Sequence, residues 1–179
     1  MRTPEGGLLH RWYAGQADIP GFLDDYAFLI WGLIELYEVT FDLRYLTGAI
    51  ELAGYAIDGF WDERDGAFFF TTESHEILFG RTKELHDGAL PSGNAVMALC
   101  LVRLGRMTGQ TGFEEKASII GKRFAQAIGR IPSAFTHYLT ALDFLLGPSI
   151  EIVITGRPEA ADVEAMLETV RTPFMPRKT

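Results

Sequence analysis

The sequence predicts a mainly α-helical fold: an incomplete curved array of helical hairpins, one β-hairpin inserted between two of them, and a C-terminal strand-helix unit. Three observations carry this expectation. Two segments, Tyr26–Val39 and Ala95–Met107, are apolar nearly all round a helical wheel, the pattern of a helix buried on every side. Each is followed by an amphipathic segment. The pair then recurs at an offset of 68 residues, matching Ala27 with Ala95, Leu33 with Leu101, Leu36 with Leu104, Thr40 with Thr108, Tyr45 with Phe113 and Ala49 with Ala117. Chance register between apolar helices accounts for the Ala and Leu matches alone. The Thr and aromatic matches around the turn favour a true repeat, one hairpin written twice, whose units share a core.

The first unit begins in Ile19–Thr40, with Asp24 placed to cap the inner helix and Leu23 and Phe28 to staple its start. Its outer helix covers Asp42–Trp61, where Leu43, Leu46, Ala49, Ile50, Ala53 and Ile57 fall at helical spacing. The WDERDG stretch ends it. Phe68–Thr72 and Ile77–Phe79, flanking the polar Glu73–Glu76, read as the β-hairpin. Gly80–Gly93 is polar and turn-rich, and the second unit follows as Ala95–Met107 and Gly112–Arg130. Pro132–Leu146 begins a third. Beyond Gly147-Pro148, Ile150–Ile154 is expected to be a short buried strand, Gly156 a turn, and Pro158–Val170 a helix with Pro158 in its first turn. The tail, Thr172–Thr179, is expected to fray. Residues 1–147 thus form the array and 148–179 an extension of the same domain.

At 179 residues the chain is about one domain long. Its 16 Lys plus Arg against 24 Asp plus Glu leave a net charge of −8, which repels phosphate backbones and argues against nucleic acid. The longest apolar runs, Ala27–Ile34 and Ala95–Val102, fall far short of the roughly 20 residues that span a bilayer, so no membrane partner is expected. One cysteine, Cys100, permits neither an internal disulfide nor a CxxC pair, and a reduced, cytoplasmic location is the default. Hydrophobic residues nevertheless make up 47% of the chain. A domain of this size buries only about 70% of its unfolded surface. Two and a half hairpins cannot close a ring, so an uncovered apolar face is expected, filled by further hairpins or by self-association.

The densest cluster of polar residues is Arg81–Asn94, RTKELHDGALPSGN, which leads into the second inner helix. Helix N-termini point free N–H groups outward and suit anionic or hydroxyl-rich ligands. The plain alternative is a turn-rich loop with Ser92 or Asn94 as an ordinary cap. Asp24 and Asp25 begin the equivalent helix one repeat earlier, on the same rim of the array. Paired carboxylates there suit acid–base work on a glycosidic or hemiacetal carbon, with capping and a helix-dipole contact as their structural alternatives. Trp12, Tyr26, Trp31 and Trp61 are of the type that stacks on sugar rings, and equally of the type that fills a core. His10, His75, His86 and His137 show no metal-binding spacing, and only His86, beside Asp87, joins the site candidates. No metal and no cofactor is expected. No G-x-S-x-G elbow occurs, and Cys100 lies inside an apolar helix, which argues against a Ser or Cys nucleophile.

GFLDDYAFLIWGLIELYEVTFDLRYL, FWDERDGAFFFT, R-T-K-E-x-x-D-G-A-x-P-S-G-N and EIVITG resemble, in order, the helical region of the spermatogenesis-associated, thioredoxin-domain-containing protein family. The resemblance implies a partial (α/α) toroid similar to six-hairpin glycosidases and N-acylglucosamine 2-epimerases. It also implies a fragment, since the thioredoxin-like domain, the first half of the toroid and the family's C-terminal end have no counterpart here. Without a CxxC, redox activity does not carry over. The link to sugars rests on fold analogy. On this reading a sugar or small polar ligand lies at the inner-helix rim. Asp25 and Asp87 are the acid–base candidates, and Asp24, Tyr26, Arg81, Lys83, His86 and Asn94 the ligand contacts. The alternative is a non-catalytic scaffold that organises a redox domain or a partner.

Overall fold

The computed structural model describes residues 1–75, 80–157, 159–175 and 177–179. Among them are two strands, β1 (Leu9–Tyr13) and β2 (Gln16–Pro20), and six α-helices. The helices are α1 (Leu23–Thr40), α2 (Leu43–Phe60), α3 (Gly93–Thr108), α4 (Thr111–Arg130), α5 (Thr136–Leu146) and α6 (Ala161–Arg171). The fold is mainly helical.

The repeat is visible at its turns. Thr40 Oγ1 donates back to the Leu36 carbonyl at 2.7 Å and accepts from the Asp42 N–H at 3.2 Å. Thr108 Oγ1 does the same with Leu104 at 2.6 Å and Gln110 at 3.4 Å. The next residue is left-handed in both copies, Phe41 at φ 56° and Gly109 at φ 70°. A helix stop of this type is natural for glycine and strained for phenylalanine. Ala49 and Ala117, equivalent across the repeat, are both buried where the outer helix meets the inner one.

The inner helices run parallel. Asp24 and Leu23, at the start of α1, crowd Gly93 at the start of α3, while Glu35 and Glu38 near the end of α1 pair with Arg103 far along α3. Asp87 joins the starts of α3 and α5, and Arg106 reaches the Leu145 carbonyl at their ends. Helix α3 is therefore central, flanked by α1, α4 and α5, and every residue from Gly93 to Gly105 is buried. Arg103, 9% exposed, tolerates this only because two carboxylates meet its guanidinium at 2.6 Å each.

Several expectations are corrected. Helix α1 is not buried on every side: Leu29, Leu36 and Val39 are 42%, 45% and 64% exposed. It has the same apolar pattern as α3 but only α2 and α3 beside it, so one stripe faces outward. Its cap is Phe22 rather than Asp24. The Asp25 carboxylate, three positions on, accepts from the Phe22 N–H at 2.8 Å and closes that end of the helix. The β-hairpin lies at 9–20, before the first unit. Its two-residue turn, Ala14-Gly15, has positive φ at both positions, as a tight hairpin turn matched to strand twist requires. Of the hairpin expected at 68–79, Ile77–Phe79 lie outside the described residues. Phe68 only bridges Trp61, and the Phe70 N–H bonds Thr82.

The C-terminal region differs too. Ile150–Ile154 is extended but only half-buried on one face, at Ile152 and Ile154, while Val153 is 85% exposed, and its backbone bonds Arg177 and Thr179. The tail expected to fray is held by those bonds and by an Arg177–Asp143 ion pair. The last helix starts at Ala161, and Pro158 lies outside the described residues.

Candidate functional site

The starts of the inner helices share one rim. Among them opens a cavity of about 290 Å³, lined by Asp24 from α1, Ser92, Gly93 and Asn94 from the start of α3, and Glu84 and His86 from the preceding segment. Residues 81–86 form an extended run in which Arg81, Lys83 and Leu85 turn inward while Thr82, Glu84 and His86 are exposed. This period-two alternation divides the polar cluster into two faces with different work.

The inward face is occupied by the protein itself. Arg81 donates to the carbonyls of Thr71 at 2.8 Å and Gly59 at 3.2 Å and lies over the Phe69 ring at 4.0 Å. Lys83 donates to Asp62 Oδ2 at 2.6 Å and to the Gly66 carbonyl at 2.8 Å, closing the WDERDG loop. That contact, reinforced by the Arg64 N–H, holds the Asp62 carboxyl down to about 2. Asn94 receives the Phe68 N–H at 2.7 Å and donates to the carbonyls of Phe68 and Glu84, both at 2.9 Å. It lines the cavity while pinning the loop that forms its wall.

The outward face brings Glu84 and His86 to the cavity, where Asp24 joins them. The Asp24 carboxyl is pushed up, first by partial burial and then by the charges of Asp25 and Glu84, with the Gly93 N–H opposing. A residue larger than glycine at 93 would collide with Asp24 and Leu23, so the close approach of the two helix starts depends on that glycine. Asp24 and Glu84 thus both line the cavity at the mouth of a helix, with the His86 imidazole in the same wall.

Other sequence candidates lie around the cavity without lining it. Asp25 is held by its helix cap and by His10 Nδ1 at 2.9 Å. Ser92 is the ordinary cap of α3, its hydroxyl accepting from the Ala95 N–H at 3.2 Å. Asp87 accepts from the Ser92 N–H at 3.1 Å and from the His137 N–H in the first turn of α5 at 2.8 Å, and so ties the two helix starts together. Tyr26 is buried. Its hydroxyl accepts from the Leu8 N–H at 2.7 Å, its ring stacks on Tyr55, and burial pushes the phenol up to about 12. Trp12 is 61% exposed near the hairpin tip, Trp61 packs edge-on against Phe68, and Trp31 lies against His137, ring centroids 5.0 Å apart. Cys100 is buried, with its thiol pushed up to about 12, which leaves it inert. Glu84 and His10 were missed as contributors. The alternation of residues 81–86 could have revealed Glu84; no local signal ties His10 to Asp25.

No group of three or more potential metal ligands occurs among the described residues. No helix among them is long and apolar enough to cross a membrane.

Fold and rim define a class: a helical-hairpin repeat protein with an acidic cavity at the N-terminal ends of its inner helices. No family model matches the chain. Among curated proteins it is similar to spermatogenesis-associated protein 20 of Rattus norvegicus, 35% identical over 182 residues, covering 97% of this chain and 23% of the relative. The Homo sapiens protein of that name is 34% identical over 159 residues, covering 88% of this chain and 20% of its own length. An uncharacterized protein of Caenorhabditis elegans is 29% identical over 146 residues, 82% of this chain and 20% of that protein. Homologues named spermatogenesis-associated protein 20 therefore cover the chain almost end to end and support the family its motifs implied. The chain spans about a fifth to a quarter of the length of these relatives.

Proposed function

We propose that this chain is a segment of a spermatogenesis-associated, thioredoxin-domain-containing family protein, that its hairpins belong to an (α/α) toroid of the six-hairpin glycosidase type, and that the rim cavity binds a carbohydrate. One observation carries the reading: three parallel inner helices bring their starts to one rim, and two carboxylates, Asp24 and Glu84, line the cavity that opens there. Carboxylates are the natural partners of sugar hydroxyls. A pair whose neighbours raise the proton affinity of one member suits acid–base work on a sugar carbon. Asp24 and Glu84, rather than Asp25 and Asp87, take the acid–base roles in this reading because they line the cavity, while Asp25 is held by the Phe22 N–H and His10 and Asp87 by the Ser92 and His137 N–H groups. His86 and Asn94 line the same space. A cytoplasmic location belongs to this reading, on the strength of the single buried cysteine.

A second reading rests on a specific observation too. Arg81, Lys83, Asn94 and Asp87 all spend their hydrogen bonds inside the protein, as in a scaffold whose rim is structural. Titrating the chain with mono- and disaccharides and following tryptophan fluorescence separates the two. Saturable binding lost in both Asp24→Asn and Glu84→Gln supports the sugar site. No response from the wild-type chain, or one that both variants keep, leaves the scaffold.

A further inference from the structure

A second cavity lies at the opposite end of the inner helices, about 510 Å³ in volume, a size that suits a small organic ligand. Its floor is the end of α1 and α3, with Tyr37, Phe41 and Met107; its roof is α6. The apolar stripe of α6, Val163, Leu167 and Val170, faces this space, and Val163 is the one buried residue of that helix. An amphipathic helix ordinarily presses such a stripe into a core. Here it is held to the body mainly by polar ties at the edge: the bonds of Ile150 and Ile152 to the tail, Lys178 to the Val170 carbonyl at 2.9 Å, and Arg171 over the Phe41 ring at 5.1 Å.

Two donors in the lining are unanswered. Arg106 lines it; the end of its guanidinium pairs with Glu114 at 3.1 Å and reaches the Leu145 carbonyl at 3.5 Å, but its Nε–H is buried with no acceptor among the described residues, and the Thr179 hydroxyl is in the same position. Lys178 adds an ammonium. Of the two carboxylates at the edge, Glu38 is taken up by Arg103 at 2.6 Å and Glu151 is exposed. A buried unpaired donor costs free energy until something accepts from it, and an ionised acceptor forms the stronger bond.

We propose that this cavity binds a single-tailed amphiphilic carboxylate, its chain filling the space beneath the α6 stripe and its head accepting from Arg106 and Lys178. Such a ligand supplies the core that α6 lacks and the acceptor that the Arg106 Nε–H lacks. The proposal is independent of the rim cavity.

The test titrates the chain by calorimetry with dodecanoate, dodecanol and dodecyltrimethylammonium below their micelle concentrations, and follows amide exchange of residues 161–171. Dodecanoate is expected to bind one to one, about tenfold or more tighter than the other two, which corresponds to about 1.4 kcal/mol for a charge-assisted contact. It should also protect α6 from exchange. Arg106→Lys keeps the charge but loses the Nε–H and should weaken dodecanoate about tenfold, while Leu167→Trp fills the cavity and should abolish binding. Equal binding of the three probes, no binding, unchanged α6 exchange, or an unaffected Arg106→Lys each overturns the proposal. Should Leu167→Trp fail to fold, the probe series and Arg106→Lys still decide it.

Discussion

Asp87 offers the sharpest separation between a carboxylate kept for chemistry and one kept for structure. Oδ1 accepts from the Ser92 N–H at 3.1 Å, and Oδ2 from the His137 N–H at 2.8 Å and the Thr136 hydroxyl at 3.4 Å. One side chain therefore serves the starts of two helices, α3 and α5. Losing a helix cap costs about 1 kcal/mol. Removing a negative charge from beside a helix start costs a further few tenths of a kcal/mol at each end. Asp87→Ala is thus worth about 2–3 kcal/mol. At roughly 2–4 °C per kcal/mol for a chain of this size, the melting temperature should fall by about 5–10 °C. Asp87→Asn keeps one acceptor oxygen but turns an N–H toward an N–H at the other helix, so about half of that loss is expected. Thermal denaturation followed by circular dichroism reads both values, and amide exchange should show faster opening at Ser92 and His137. An Asp87→Asn chain that melts within about 1 °C of wild type, with both amides still protected, would refute this role and return Asp87 to the catalytic candidates.

Three further outcomes are expected. Asn94→Ala leaves the fully buried Phe68 N–H and C=O without a partner, at about 1–3 kcal/mol each; chemical denaturation should show a loss of at least about 2 kcal/mol. Asp24→Asn should leave the melting temperature at pH 7 unchanged or raise it. Burial and the neighbouring carboxylates raise the Asp24 pKa, so the folded state binds that proton more tightly than the unfolded one and the ionised form opposes folding at higher pH. A clear fall in melting temperature would make Asp24 a structural partner. Asp62 has the opposite sign: with its carboxyl held down to about 2 from 3.8 by Lys83, its contribution is present above 3.8 and lost as pH falls toward 2. Melting curves of wild type and Lys83→Met should converge across that interval, and a gap that stays constant from pH 6 to about 2 would contradict the pairing.

What the sequence determined by itself is the local and the repeated. Hairpins, their turns at Thr40 and Thr108 and the central burial of α3 follow from periodicity and from an offset of 68 residues, because helix faces and turn bonds are set by neighbours within a few positions. The polar segment 81–94 was likewise legible as the place where polar side chains gather. Tertiary structure decided which of those groups are free. Arg81 and Lys83 differ from Glu84 and His86 only in which side of an extended strand of chain they occupy, and what waits on each side, Phe69 and the WDERDG loop or the open cavity, comes from distant segments. The same reason explains α1. Its apolar pattern equals that of α3, yet a helix is buried by the partners that surround it, and α1 has them on fewer sides. The hairpin at 9–20 escaped notice because Ala14-Gly15 is a weak turn signal, and its place was settled by anchoring at a distance: Leu8 in the core, and His10 against Asp25. Composition and spacing assign each residue a tendency; the partner that uses it up, or leaves it available to a ligand, is supplied by chain far away in sequence.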